Sequence, residues 1–251
     1  MTKNKITIII PARLKSSRFP NKILVNICGI PMIEHVRRRA LMSKNIDKVI
    51  VATPDKKIED LIKKNNGLVI RTYKNHINGT SRVAEVCKKI NSSHVVILQG
   101  DEPLIRPKEI DLFISKILNS RSNIFNCIGK IDDLELYDES VVKVKINRNS
   151  NIIDCFRNYY KNTKKKKNIY KLFGMIGFKK NTLLDLMKLK SSKNEINLKI
   201  EQMRIIDNKL TLKSFLIKGS GASVNYIKDL KIVNRELKND KSQKKILNKI
   251  R

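Results

Sequence analysis

Two kinds of hydrophobic pattern alternate along the chain. Short apolar runs, mostly rich in β-branched residues, predict strands at Ile6–Ile10, Asp47–Thr53, Leu68–Arg71 and Val95–Leu98, and the Gly-punctuated Leu172–Phe178 and the segment Leu210–Ile217 read as two more. Between them, apolar residues recur at helical spacing. Met32, Ile33, Val36, Ala40 and Leu41 form one such face, with Glu34 and Arg37–Arg39 mostly off it and His35 at a surface or interface. Ile58, Leu61 and Ile62 mark a second helix that stops near Gly67, and Val83, Ala84, Val86 and Ile90 a third. Pro107–Leu118, Thr182–Leu189 and Glu195–Ile206 read as further helices. The opening order is therefore β-α-β-α-β, which specifies a parallel sheet covered by helices, an α/β class.

The second half is more varied. Val141–Ile146 alternates apolar residues with Lys, so it reads as a strand with one wet face. Asn147–Asn151 is a turn and Ile152–Phe156 a partner strand. Asn158–Asn168 reads as a mobile loop, Gly219–Gly221 as a turn, and Ile227–Arg251 as a basic helix that frays. No repeat or linker divides the chain. One domain over 1–251 is expected, with a β-rich subregion around 130–180.

The candidate chemistry sits where buried strands end. After Ile10, Pro11 stops the strand, and a loop carries Arg13, Lys15, Arg18 and Lys22 with Ser16 and Ser17. The carboxyl edge of a parallel sheet is where α/β proteins bind ligands. Cations, hydroxyls and backbone N–H groups together suit a multiply charged anion such as a triphosphate; the alternative is a basic surface loop. Asn75–Arg82 holds a flexible Gly79, then Thr80 or Ser81 as a helix cap beside Arg82. This is either a second anion-friendly feature or an ordinary cap. The run Val95–Leu98 ends in Gln99-Gly100-Asp101-Glu102-Pro103, which puts a carboxylate at the same edge. Asp101 is a Mg²⁺ candidate, because that ion takes one or two carboxylates plus phosphate oxygens; the alternative is a solvated acidic turn.

Composition changes this picture little. The chain has 54 Lys+Arg against 23 Asp+Glu, a formal charge of +31, which raises a nucleic-acid reading. The charge is spread along the chain, however, with only Lys164–Lys167 forming a dense run. Aromatics are 5% with no Trp, so stacking platforms are sparse. No specific nucleic-acid partner is expected. No signal peptide and no stretch long enough for membrane insertion are evident. Cys28, Cys87, Cys127 and Cys155 are dispersed, which fits reduced thiols in a cytoplasmic protein and no cysteine metal site.

Taken together, the motifs resemble a known family. Pro11-Ala12-Arg13, Ser16, Arg18, Pro20, Lys22 and Leu24, followed by Gly29-x-Pro31-Met32-Ile33-x-His35-Val36, are similar to the opening of the 3-deoxy-manno-octulosonate (Kdo) cytidylyltransferases. Gly79-Thr80-x-Arg82, Gln99-Gly100-Asp101-Glu102-Pro103, Gly174-x-x-Gly177-Phe178, Glu201-Gln202-x-Arg204 and Asp229-Leu230 follow in order. The resemblance implies a nucleotide-diphospho-sugar transferase-like α/β fold, mainly a parallel sheet flanked by helices. It implies a nucleotide-binding half over 1–125 and a sugar-binding half over 126–251 with a β-rich dimerisation subregion. The implied activity joins CMP from CTP to a keto-sugar acid, releasing pyrophosphate, for lipopolysaccharide biosynthesis by a Mg²⁺-dependent homodimer.

By position in the motifs, Arg13, Lys22 and Asp101 would be catalytic. Pro11, Ala12, Leu14, Ser16, Ser17, Arg18, Thr80, Arg82, Gln99 and Gly100 would join Arg13 and Lys22 around CTP. Arg157, Glu201 and Gln202 would face the sugar acid. Asp101 and Asn225 would hold the metal.

The chain also departs from the pattern. Asn225 stands where the family has a second metal-binding Asp. Leu172 and Ile176 replace a sugar-facing His and a Tyr, Ser81 replaces an acid, and an acid near Leu198 is missing. Three readings follow: a Kdo cytidylyltransferase, a relative with another sugar acid or weakened catalysis, and a basic nucleic-acid-binding protein on a borrowed fold.

Overall fold

The computed structural model describes residues 5–160, 168–217 and 222–251. The strands are β1 (Ile6–Pro11), β2 (Asn26–Ile27), β3 (Ile30–Pro31), β4 (Lys48–Thr53), β5 (Leu68–Arg71), β6 (His94–Leu98), β7 (Ile124–Gly129), β8 (Lys143–Ile146), β9 (Ile152–Phe156), β10 (Ile169–Lys179) and β11 (Lys213–Leu216). The helices are α1 (Met32–Leu41), α2 (Lys56–Lys64), α3 (Gly79–Cys87), α4 (Pro107–Leu118), α5 (Asp133–Tyr137), α6 (Lys180–Leu186), α7 (Lys193–Leu198), α8 (Met203–Asp207), α9 (Asp229–Asn239) and α10 (Lys241–Ile250).

The main sheet runs β11-β7-β10-β6-β1-β4-β5. β5, β4, β1 and β6 are mutually parallel, as are β11 and β7, while β10 lies antiparallel between β6 and β7. β10 also extends past the sheet to pair with β8, and β8 with β9, which is the expected β-rich subregion. Alternate residues of β1 enter opposite faces: Ile6, Ile8 and Ile10 pack into one core and Ile9 into the other. That two-sided burial is why the strand reads as an unbroken apolar run.

The hydrophobic pattern located most elements but misjudged several environments. β7 was not predicted; its Asn126 and terminal Gly129 interrupt the apolar run, yet all six residues are buried. Lys143 is fully buried rather than on a wet face, and its Nζ donates to the carbonyls of Asp138 (2.6 Å) and Arg157 (2.7 Å). Glu34, His35, Arg37 and Arg39 of α1 are buried, not off the core face. Arg37 makes a bidentate pair with Glu34 at 2.7 Å, and the His35 ring sits 2.7 Å from the Ile27 carbonyl. Leu41 and Leu112, expected on apolar faces, are half exposed.

The expected helix 195–206 is two helices, broken where Lys199 takes a left-handed φ of 54°. The C-terminal helix is also two, divided at Asp240, whose side chain caps α10. It does not fray as expected: Leu247 and Ile250 are buried, and Arg38 donates to the Ile250 carbonyl at 2.6 Å. The cap of α3 is Asn78, which accepts from Ser81 N at 2.9 Å, rather than Thr80 or Ser81. The Lys164–Lys167 run, most of the 158–168 loop and the Gly219–Gly221 turn lie outside the described residues. All four cysteines are free thiols, and among the described residues no helix is long and apolar enough to cross a membrane.

Candidate functional site

Because β1 and β6 are parallel neighbours, with Ile9 opposite Ile97, the loops after Pro11 and Leu98 leave the same sheet edge. β10 arrives there from the other side and donates an acceptor: Gln99 N bonds to the Gly174 carbonyl at 2.8 Å. Gly174 must lack a side chain, since a Cβ would meet Glu102 Oε1 at 2.7 Å and Gln99 Cβ at 2.9 Å. Gly79 closes the opposite wall, its bare Cα packed on Pro11 and Gln99. The result is a cleft of about 1000 Å³ across this edge.

The sequence-predicted residues converge on this cleft. Pro11, Ala12, Arg13, Ser16, Ser17, Arg18, Lys22, Arg82, Gln99, Gly100 and Asp101 line it, and so do Arg157, Glu201, Gln202 and Asn225. Leu14 and Thr80 do not line it. The Leu14 N–H is taken by Asp55 Oδ2 at 2.9 Å, and Thr80 turns its N–H and hydroxyl to Glu201.

The floor is an ion pair. Lys22 Nζ lies 2.6 Å from Asp101 Oδ2 and donates to the Val224 carbonyl at 2.9 Å, while Val224 N bonds to the Asp101 carbonyl at 2.9 Å. This ties the first loop, the end of β6 and the segment 222–229 into one surface. Asn225 and Tyr226 donate their N–H groups to Asp229 Oδ2 at 2.7 and 2.8 Å. Arg18 stacks on the Tyr226 ring at 5.5 Å and fastens the phosphate-loop candidate to the same segment. Glu102 lies behind Asp101, buried, accepting from Ser223 Oγ (2.7 Å) and Gly174 N (3.2 Å). Burial, and then the neighbouring Asp101 carboxylate, push its pKa up to about 8.

The cations are crowded. Burial first, and then the nearby Arg13 guanidinium, lower the pKa of Arg82. Burial and then Arg18 do the same for Arg157. Clustered positive groups on one side of a cleft favour an anion there.

Among the described residues no three His, Cys, Asp or Glu side chains gather to hold a metal on protein ligands alone. Asp101 and the neutral Asn225, which follows the Val224 bonded to the Asp101 carbonyl, both line the cleft and form a partial donor set. It fits a hard cation that completes its shell with phosphate oxygens and water.

The far end is built differently. Arg157 spends its guanidinium on the carbonyls of Leu198 and Glu139 at 3.0 Å, Lys199 at 3.3 Å and Ser140 at 3.4 Å. Glu201 caps α3 through Gly79 N and Thr80 N at 3.0 Å. Gln202 Nε2 bonds to Asn126 Oδ1 at 3.0 Å. Leu172 and Ile176 give this end an apolar wall. Sequence reasoning missed Asn126, for which no local signal exists, and Glu102 and Asp229, which lay inside recognised motifs without an assigned role.

Comparison with known proteins agrees with this geometry. The cytidylyltransferase family matches residues 7–215. A 3-deoxy-manno-octulosonate cytidylyltransferase from Escherichia coli is 31% identical over 88% of this chain and 92% of its own length. A solved CMP:2-keto-3-deoxy-manno-octonic acid synthetase in complex with CTP superposes with a TM-score of 0.86 at 30% identity, covering 94% of this chain and 100% of that one. An inositol-1-phosphate CTP transferase from T. maritima, at 15% identity and a TM-score of 0.67 over 99% of this chain and 96% of its own, shares the fold alone.

Proposed function

The chain belongs to the 3-deoxy-manno-octulosonate cytidylyltransferase family, and from that premise we propose that it transfers CMP from CTP to a 3-deoxy keto-sugar acid, Kdo, in the cytoplasm for lipopolysaccharide biosynthesis. The observation that carries the reading is the Lys22–Asp101 pair at the floor of the cleft, under the Arg13–Arg18 loop. Phosphoryl-type transfer needs positioning and charge neutralisation more than covalent chemistry.

In the reaction, the anomeric hydroxyl of the sugar acid loses its proton to solvent and its oxygen attacks the α-phosphorus in line, the bond to the oxygen bridging to the β-phosphate breaks, and pyrophosphate leaves. Arg13 and Lys22 hold the triphosphate, and the backbone N–H groups of the loop help. Arg82 and Gln99 lie toward the nucleoside. Asp101 and Asn225 would hold Mg²⁺; that ion would neutralise phosphate charge and lower the pKa of a bound hydroxyl. Because Asn225 is neutral, the metal site depends on Asp101 and on the ligand's own oxygens.

A homodimer is part of the reading. β9 pairs with β8 along one edge and meets the Leu212 carbonyl through Ile152 N (2.8 Å) at the start of the other, and its Ile153 side chain, 44% exposed, is the apolar group that supports an interface there. A different sugar acid is the second reading, favoured by Leu172 and Ile176 on the cleft wall, since apolar groups there cannot bind sugar hydroxyls.

The test is pyrophosphate release by the purified protein with CTP and Mg²⁺, with and without Kdo. Kdo-dependent release is expected. Release with another keto-sugar acid alone would select the second reading, and CTP binding without release from any of them would overturn transfer.

A further inference from the structure

The sugar end of the cleft rests on a defect in the sheet. Along β10, Leu172 pairs with Ile128 and Ile176 with Asn126, so the two strands slip out of step between these pairs. Asn126 fills the irregularity. It is fully buried, and its Nδ2 donates to the carbonyls of Phe173 (3.0 Å) and Cys127 (2.8 Å). Both partners can only accept, so the amide cannot be turned over, and Oδ1 must face the other way. Gln202 lies there, and only its Nε2 can bond to an oxygen, which it does at 3.0 Å. The orientation of the Gln202 amide is thereby fixed as well. Its Oε1 has no hydrogen-bond partner among the described residues, and Gln202 lines the cleft beside Leu172 and Ile176.

We infer that Asn126 is a positioning residue that sets the orientation of the sugar-acid subsite: it holds Gln202 by one Nε2 proton and turns the amide oxygen to the cleft, where that oxygen accepts from a sugar hydroxyl. The inference rests on the transferase reading and deepens it. An amide oxygen accepts a hydrogen bond from a hydroxyl. The flanking Leu172 and Ile176 side chains supply no polar group of their own.

The experiment is a double-mutant cycle with Asn126→Leu and Gln202→Met, reading KM for the sugar acid and for CTP separately. Each single variant is expected to raise the sugar-acid KM about tenfold. The CTP KM should stay within twofold, and the double variant should be no worse than Gln202→Met, because Asn126 acts through Gln202. Multiplying effects, or equal rises in both KM values, would overturn the inference. The side-chain amide spectrum of the ¹⁵N-labelled wild type gives a second readout that needs no turnover and no folded Asn126 variant. One Gln202 Nε2 proton, assigned by its loss in Gln202→Met, should exchange slowly. Solvent-rate exchange of both protons would overturn the inference. A wild type with no turnover on any sugar acid would instead overturn the transferase reading, and the amide spectrum would still decide this one.

Discussion

Lys22 Nζ sits 2.6 Å from Asp101 Oδ2, so the cation from the loop after β1 and the carboxylate from the end of β6 neutralise each other across the cleft floor. Asp101 is 26% exposed and Lys22 15%, so the pair remains open to solvent and ligand. Its worth to the fold is on the order of 1 kcal/mol or less. Asp101→Asn should therefore leave the thermal midpoint nearly unchanged while lowering pyrophosphate release by at least about 100-fold. A large drop in midpoint with modest loss of turnover would reverse these roles.

His35 makes stability depend on pH. Burial lowers its pKa from 6.5 to about 4, and Arg38, Arg39 and Arg251 add repulsion, while the Ile27 carbonyl pulls the other way. The unfolded chain binds this proton below about pH 6.5 and the folded chain only below about pH 4, so stability is fully present above 6.5 and falls as pH drops toward 4. Roughly 2–4 kcal/mol is involved. His35→Gln keeps a donor for Ile27 and cannot titrate. Urea midpoints of the two proteins should diverge across that window, and parallel curves would refute the assignment.

Gly174 is a packing requirement. Gly174→Ala sets a Cβ against Glu102 and Gln99 and should cost about 1–3 kcal/mol, measured by denaturant unfolding. It should also raise the KM for CTP, because Gln99 is one of the displaced groups.

Glu201 holds the start of α3 by charge and hydrogen bonds together, through Gly79 N, Thr80 N and the Thr80 hydroxyl. Glu201→Ala should destabilise by about 1–3 kcal/mol. Arg82 lies in the first turn of α3, so CTP affinity should weaken with it. Unchanged stability would show that the cap is dispensable.

The sequence by itself determined the order of elements and the ends of the strands that matter. Ile6–Ile10 and Val95–Leu98 are buried on both faces, so their local pattern is unambiguous, and the residues that follow them, Arg13 to Lys22 and Gln99 to Asp101, had to emerge at one edge of a parallel sheet. Motif spacing then carried the family. Tertiary structure alone decided what each polar side chain faces. Lys143, Arg37 and Glu34 read as solvated from their neighbours in sequence, yet they are buried because partners many residues away, or on the next turn, satisfy them. Strand β7 escaped notice because Asn126 breaks its apolar run. That same asparagine is tolerated there only because the slipped register of β10 leaves carbonyls for it to bind. Local pattern reports the period of a segment, whereas hydrogen-bond partners depend on which segments the fold brings together, and this is why Gln202 could be picked out from its motif, and does line the cleft, while its orientation could not.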